Sequence, residues 1–205
     1  NQFNHRVNND SLPPVFLAFD SLPVFQIGNP CNTTEIVSDI NVGLPGQIAN
    51  DVYGIGFSVD YPASFATDSC FKIQVDLDAN SWFATNEPIL YLFKNIPEFH
   101  RVDVGIARTN GIARSGNGRI GRIKFVVEDG IFRNGRVSSN KQYTFAVNNV
   151  DAINGNGIEV GLSGRSTTTN FIILGVQNKK IEGLKIFPNP VTNYLNINAN
   201  EMLDE

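Results

Sequence analysis

Histidine and cysteine occur only twice each in these 205 residues, and tryptophan and methionine once each. His5 lies in a polar, Asn-rich opening segment, so a Ser-His-Asp or His-metal constellation would have to be built on His100 alone. Charge of one sign is also scarce: 16 Lys and Arg against 20 Asp and Glu leave a net charge of -4, spread along the chain without runs. That excludes the electrostatic footprint of a nucleic-acid or anionic-lipid partner. No stretch approaches the roughly 18 consecutive apolar residues of a transmembrane helix. Cys31 and Cys70 match no CxxC or zinc spacing. Both sit beside turn-forming residues, and a single disulfide tying two loops in an oxidising compartment is favoured over two free thiols.

What the chain has in quantity is β-forming residues. There are 15 Phe among 41% apolar residues, while Ala-, Leu- and Glu-rich stretches are missing. In YGIGFSVDY, Tyr53, Ile55, Phe57, Val59 and Tyr61 alternate with Gly54, Gly56, Ser58 and Asp60, which makes one face apolar and the other small or polar. RVDVGIAR and KQYTFAV repeat the period. Five Asn-Gly dipeptides, at Asn110, Asn117, Asn134, Asn154 and Asn156, supply the positive φ angles of tight turns. Strands are predicted at 24–27, 36–42, 53–61, 71–77, 89–94, 101–108, 119–127, 141–150, 158–161 and 171–176. Ten short strands separated by turns predict an all-β, two-sheet sandwich.

Few motifs point to chemistry. GNGRIG (116–121) has the spacing of a dinucleotide fingerprint, but that motif needs a helix after it, and here it opens the strand RIGRIKFVVED. It is read as a hairpin turn. DLDANSWFATNE sets Asp76, Asp78, Asn80 and Glu87 at positions 1, 3, 5 and 12 of an EF-hand-type loop, whose oxygens can wrap calcium, the one candidate cofactor. Ser81 replaces the glycine of position 6 and no helix pattern flanks the loop, so a solvated strand end is the favoured reading. Asp60 with Asp103 could serve as a carboxylate pair for glycoside hydrolysis, yet neither sits in a catalytic pattern. No enzyme is expected.

Residues 22–176 resemble a cohesin-type domain of the divergent form found in bacteria that use type IX secretion. The carriers are NDVYGIGFSVDY (50–61), VDLDANSW (75–82), VDVGIARTNGIARSGNGRIGRIKFVVED (102–129) and VNNVDAINGNGIEV (147–160). The resemblance implies a nine-stranded jelly-roll, immunoglobulin-like sandwich with a short β-rich C-terminal tail. It also implies a non-catalytic module that engages a protein partner, such as a calcium-loaded dockerin-like module, through one sheet face. Carried onto this chain, that face would use Ser58, Asp60, Tyr91, Arg101, Asp103, Thr144 and Asn148.

LKIFPNPVTNYLNI (184–197) resembles the opening of a type A sorting domain of the type IX system, with Phe187, Pro188, Asn189 and Pro190 as its motif. This implies contact with the type IX secretion machinery and an extracellular or cell-surface location. The expected organisation is a leader at 1–20, the sandwich at 21–177, a linker at 178–183 and a truncated sorting domain at 184–205. The leader resembles the end of a calcium-binding repeat, so Asn1 is expected to lie inside a longer protein. Two further functions stay open: a carbohydrate-binding accessory module, for which Trp82 and Tyr91 are the candidate aromatics, and a subunit of an extracellular filament in which copies pair by strand edges.

Overall fold

The computed structural model describes residues 11–19, 24–27, 33–67, 70–78, 80–85, 87–128, 141–175, 185–187 and 196–198. The chain divides into two compact units, Asn1–Gly175 and Val176–Glu205. The first contains β1 (Pro14–Ala18), β2 (Val24–Ile27), β3 (Thr33–Val42), β4 (Ala49–Val52), β5 (Gly54–Asp60), a one-turn helix α1 (Ala63–Ala66), β6 (Lys72–Leu77) and β7 (Ile89–Ile96). It continues through a 3-10 turn (Pro97–Phe99), β8 (Arg101–Arg108), β9 (Arg114–Gly116), β10 (Gly118–Glu128), β11 (Lys141–Ile153), β12 (Glu159–Val160), β13 (Ser163–Gly164) and β14 (Ser166–Gly175). The second unit pairs β15 (Lys185–Phe187) with β16 (Asn196–Asn198), antiparallel.

The strands of the first unit form the all-β sandwich that the alternation predicts. One sheet runs β13-β1-β3-β10-β6, and the other runs β2-β14-β11-β5-β8-β7 with β12 added beside β11. The inward rows are those read from the sequence. Ile55, Phe57 and Val59 of β5 and Val102, Val104 and Ile106 of β8 face Ile36 and Ile40 of β3 and Ile123, Phe125 and Val127 of β10, all buried. Strand β1 corrects the expected leader, because Pro14–Ala18 lies inside the segment 1–20 and pairs with β3. Val15 and Leu17 point into the core there. The surrounding Asn-rich composition hides this short run, while a proline as first residue suits a strand start because the missing N–H falls outside the ladder.

At one end of the sandwich α1 carries Phe65 into the core. Its ring centroid lies 5.4 Å from Tyr143, 5.8 Å from Phe71, 6.0 Å from Phe145 and 6.5 Å from both Phe125 and Phe171. A single helical turn has no stability of its own in water. It forms because burying this ring supplies about 2–3 kcal/mol of apolar transfer.

Near the other end Arg108 extends the inward row of β8, so a cation enters the core at 3% exposure. Its Nε donates to the Ile112 carbonyl at 2.6 Å, its guanidinium donates to the carbonyls of Phe83 and Ala84, and it lies over the Phe83 ring. Loss of solvent pushes its pKa below the ordinary value. The charge persists, because a guanidinium starts so high, and the three carbonyls take the place of water. Arg108 thereby ties the 81–85 turn and the turn after β8 to the sandwich.

Strand β13 crosses β11 so closely that a Cβ on Gly164 would collide with the carbonyl oxygen of Val147. Gly157, by contrast, has φ +75 and open space around it. Gly164→Ala is therefore expected to cost at least about 2 kcal/mol through overpacking against backbone. Gly157→Ala should cost about 1 kcal/mol, the left-handed penalty alone. Urea midpoints of the two variants measure the difference, and equal midpoints would refute the close crossing.

Candidate binding face

The outward surface of the second sheet is set by register. Reading across β11, β5, β8 and β7 gives the rows Ile153–Gly54–Ala107–Leu90, Asp151–Gly56–Gly105–Leu92, Asn148–Ser58–Asp103–Lys94 and Ala146–Asp60–Arg101–Ile96. Two rows are small or apolar and two are polar. Glycine at 54, 56 and 105 lowers the floor between Leu90 and Leu92 on one side and Ile153 on the other, which leaves an open apolar groove of about 360 Å³.

The polar rows are tied together by hydrogen bonds. Asp103 accepts from Ser58 Oγ at 2.8 Å and pairs with Arg101 Nε at 2.9 Å. Asn148 Nδ2 donates to Asp60 at 2.7 Å, and Asn149 Nδ2 donates to Ser58 Oγ at 3.2 Å. Two successive asparagines reach the same side because β11 bulges between Asn148 and Asp151, with Asn149 at φ 50. The bulge also resets the inward row from Val147 to Val150. Thr144, further along β11, shares a 2.9 Å hydrogen bond with Thr168. With both oxygen-bearing groups engaged in this way, Asp60 and Asp103 hold the surface in shape.

The other sheet presents a different outer surface. Arg122 and Asp39 pair at 2.8 Å and Lys124 and Glu35 at 3.2 Å, two ion pairs that flank the exposed Val37. Asymmetry between the two faces singles out the second sheet as the one left to cover.

Of the residues carried over from the resemblance, Ser58, Asp60, Arg101, Asp103, Thr144 and Asn148 share this surface, whereas Tyr91 does not. It pairs with Ile106 and so lies on the core-facing side of β7. ILYLFKNI is apolar at nearly every position, so its alternation cannot assign a side. Leu90 and Leu92 occupy the outer positions instead, at 65% and 64% exposure. The glycine floor was visible in the sequence as the small face of YGIGFSVDY, although no motif marked it as a groove.

Trp82 is not a platform on this face. Its indole packs over Gly116 and Gly118, where a Cβ would stand 2.7 Å from Nε1 and 2.8 Å from the Trp82 Cβ. The GxG of GNGRIG thus serves tryptophan packing and the entry to β10. Half-buried Cys70 stands just before β6, while Cys31 lies outside the described residues. Phe187 ends β15, and Pro188, Asn189 and Pro190 lie outside the described residues.

Comparison with known proteins assigns the fold. The structure is similar to a cohesin from Clostridium thermocellum, solved in a type I cohesin–dockerin complex, with a TM-score of 0.58 and 8% identity over 83% of this chain and 100% of that one. A non-cellulosomal cohesin from Archaeoglobus fulgidus has a TM-score of 0.49 and 17% identity over 82% of this chain and 94% of that one. The cohesin module of a family 33 glycoside hydrolase from Clostridium perfringens has 0.47 and 15% over 80% and 98%. No model of a known protein family matches the sequence, and no curated protein does. The sandwich has the cohesin fold.

The acidic loop after β6 takes a shape of its own. Asp78 Oδ1 accepts from the Asn80 N–H at 2.8 Å and Oδ2 from Arg119 at 2.7 Å, while Asp76 accepts from Gln74. Ser81 Oγ then caps a tight turn by accepting from the Ala84 N–H at 3.1 Å. The structure does not gather Asp76, Asp78 and Glu87 into one ligand set among the described residues. The Asn80 N–H, with Arg119, holds the exposed Asp78 carboxyl below its ordinary 3.8. A carboxyl depressed on folding adds stability above 3.8 that is lost as pH falls through its folded value. Asp78→Asn should therefore lower the melting temperature slightly at neutral pH, and the gap from the unaltered protein should close below pH 3.8. Thermal melts across that range measure it, and a gap that widens in acid would refute the assignment.

Proposed function

We propose that this chain is a non-catalytic protein-binding module whose partner, a dockerin-like module, docks on the outer surface of β11, β5, β8 and β7. One observation carries the reading: two adjacent rows of a sheet surface are glycine, alanine, leucine and isoleucine apart from Asp151 at one end, while the opposite sheet carries the ion pairs Arg122–Asp39 and Lys124–Glu35. Apolar strand faces are normally buried, and contiguous exposed ones mark interaction sites. The preorganised polar half supplies orientation, since Asp103, Ser58 and Asn149 need no rearrangement to present their remaining lone pairs and N–H groups. Support for the partner class comes from the neighbour of like fold, which was solved bound to a dockerin. A carbohydrate partner has less in its favour, because Trp82 packs on backbone glycine.

The groove can be filled without disturbing the fold. A Cβ at Gly56 would meet only the Asp151 carbonyl, at 4.0 Å. Gly56→Leu is expected to melt within a few degrees of the unaltered chain and to lose binding by about a hundredfold, the cost of a blocked hot-spot pocket. Titration calorimetry with calcium-loaded dockerin modules from the same source organism tests it. Undiminished binding by the variant would place the partner elsewhere, and absence of binding to any such module by the unaltered chain would overturn the partner class.

We further propose that 184–205 begins a type IX sorting domain and that the protein acts outside the cell or on its surface. The motif Phe187-Pro188-Asn189-Pro190 carries this, supported by the antiparallel pairing of Lys185–Phe187 with Asn196–Asn198 on either side of it in a separate compact unit. In a type IX-competent bacterium, removing residues 184–205 and everything after them from the full-length protein should leave it in the periplasm, as fractionation would show. Unchanged export would refute this assignment while leaving the binding face untouched.

A further inference from the structure

Strand β7 ends its sheet, and no described strand pairs along its far side. Protein edges are normally blunted by charge, proline, bulges or short length. The other edges here conform: β13 has two residues, β2 has four, and β6 alternates Lys72, Gln74 and Asp76 outward. β7 does not. Across its eight residues, ILYLFKNI, the register with β8 is unbroken, and Lys94 is the only charge. Its centre is bare on both sides of the sheet, with Leu90 and Leu92 at 65% and 64% exposure and Tyr91 and Phe93 at 45% and 39%.

The ladder shows which backbone groups are unused. Thr109 N–H donates to the Pro88 carbonyl, and 88 and 109 continue the register in which Leu90 faces Ala107. Antiparallel strands alternate pairs that exchange hydrogen bonds with pairs that do not. Even-numbered residues of β7 therefore bond to β8, while Ile89, Tyr91, Phe93 and Asn95 aim their N–H and C=O groups at the open side. A second copy of β7 running antiparallel can satisfy all of these in a single register, the one with Leu92 on the dyad. Tyr91 then faces Phe93 of the other copy, and Ile89 faces Asn95. Moving the dyad to Tyr91 or to Phe93 leaves one such residue without a partner. In the Leu92 register the side chains also match, with aromatic rings paired on one side of the sheet, Leu92 against Leu92 on the other, and the stem of Lys94 lying along Leu90. The single charge never meets its own image.

We infer that β7 is a self-pairing edge, through which two copies of this chain join their second sheets into one continuous sheet about a two-fold axis at Leu92. Such pairing covers on the order of 1,000 Å² in total, the lower limit for a specific interface, so the dimer is reversible. This inference shares Leu92 with the groove wall but does not rest on the docking proposal, whose test substitution Gly56→Leu lies away from the edge.

Four experiments on the full chain test it. Sedimentation should show a monomer–dimer equilibrium that shifts with concentration. Amide exchange should slow with concentration at Ile89, Tyr91, Phe93 and Asn95 and stay constant at Leu90, Leu92 and Lys94, which β8 already protects. Leu92→Cys should form a disulfide-linked dimer on mild oxidation, because a non-hydrogen-bonded pair brings the Cα atoms to about 4.5 Å. Leu90→Cys, facing Lys94 of the other copy, should not. Tyr91→Lys combined with Phe93→Lys sets lysine opposite lysine and is expected to weaken association about tenfold or more with an unchanged melt. A monomer at every concentration, a dimer indifferent to the double variant, or edge amides protected only by a different protein would each overturn the inference.

Discussion

Packing of rings around Phe65 is the contact on which the rest of the sandwich depends. The residue comes from a helical turn too short to exist alone, and it reaches Phe125 of one sheet as well as Phe145, Tyr143 and Phe171 of the other. Because those rings belong to β10, β11 and β14, their positions lock the inward rows of both sheets. A strand slipped by one residue would turn its whole inward set to solvent. Once the inward rows are committed, the outward rows are committed too. The glycine floor of the groove exists because Ile55, Phe57 and Val104 must face the rings.

This explains which parts of the fold were legible. Where a strand is half-buried, as in β5 and β8, alternation of large and small residues assigns both the strand and its faces, and the predicted spans there match the observed ones within a residue. Legibility failed where the physical signal is missing. β7 is apolar on both sides because both of its sides and its edge are exposed apolar surface, so Tyr91 was assigned to the wrong face. β1 is a five-residue strand that follows directly on a polar, Asn-rich opening. The bulge in β11 has no one-residue signature beyond paired asparagines, yet it decides that Asn148 and Asn149 both reach the outer face of the sheet.

The acidic loop illustrates a different limit. Spacing of oxygen donors along a chain is a necessary condition for wrapping calcium, but the backbone must also close around a point. Here the first donors are taken by closer partners: Asp78 by its own turn and Arg119, Asp76 by Gln74. Arg119 belongs to β10, forty-one positions away in sequence, so no local reading could have supplied it. Arg108 is similar in part, since a cation in an inward register looks like an error until the carbonyls of the distant 81–85 turn join that of nearby Ile112 around it.

β7 contributes to both the groove and the open edge, which raises the question of whether pairing by the edge would block the face. From the groove floor of one copy to that of the other is four strand steps, about 20 Å at the usual interstrand spacing. A partner covering a standard patch of about 800 Å² is wider than that, so on a flat sheet two partners would collide. Sheets are not flat. A twist of about 20° per step turns the second floor by about 80° relative to the first, and the two faces then look in different directions. Leu92 lies on the dyad, where its side chain contacts its own image, while Leu90 stays with the groove wall of its own copy. Twist thus allows a paired molecule to keep two separately accessible faces, each built from one chain. A ligand carrying two modules would meet both at once, with the gain in avidity that tethering gives.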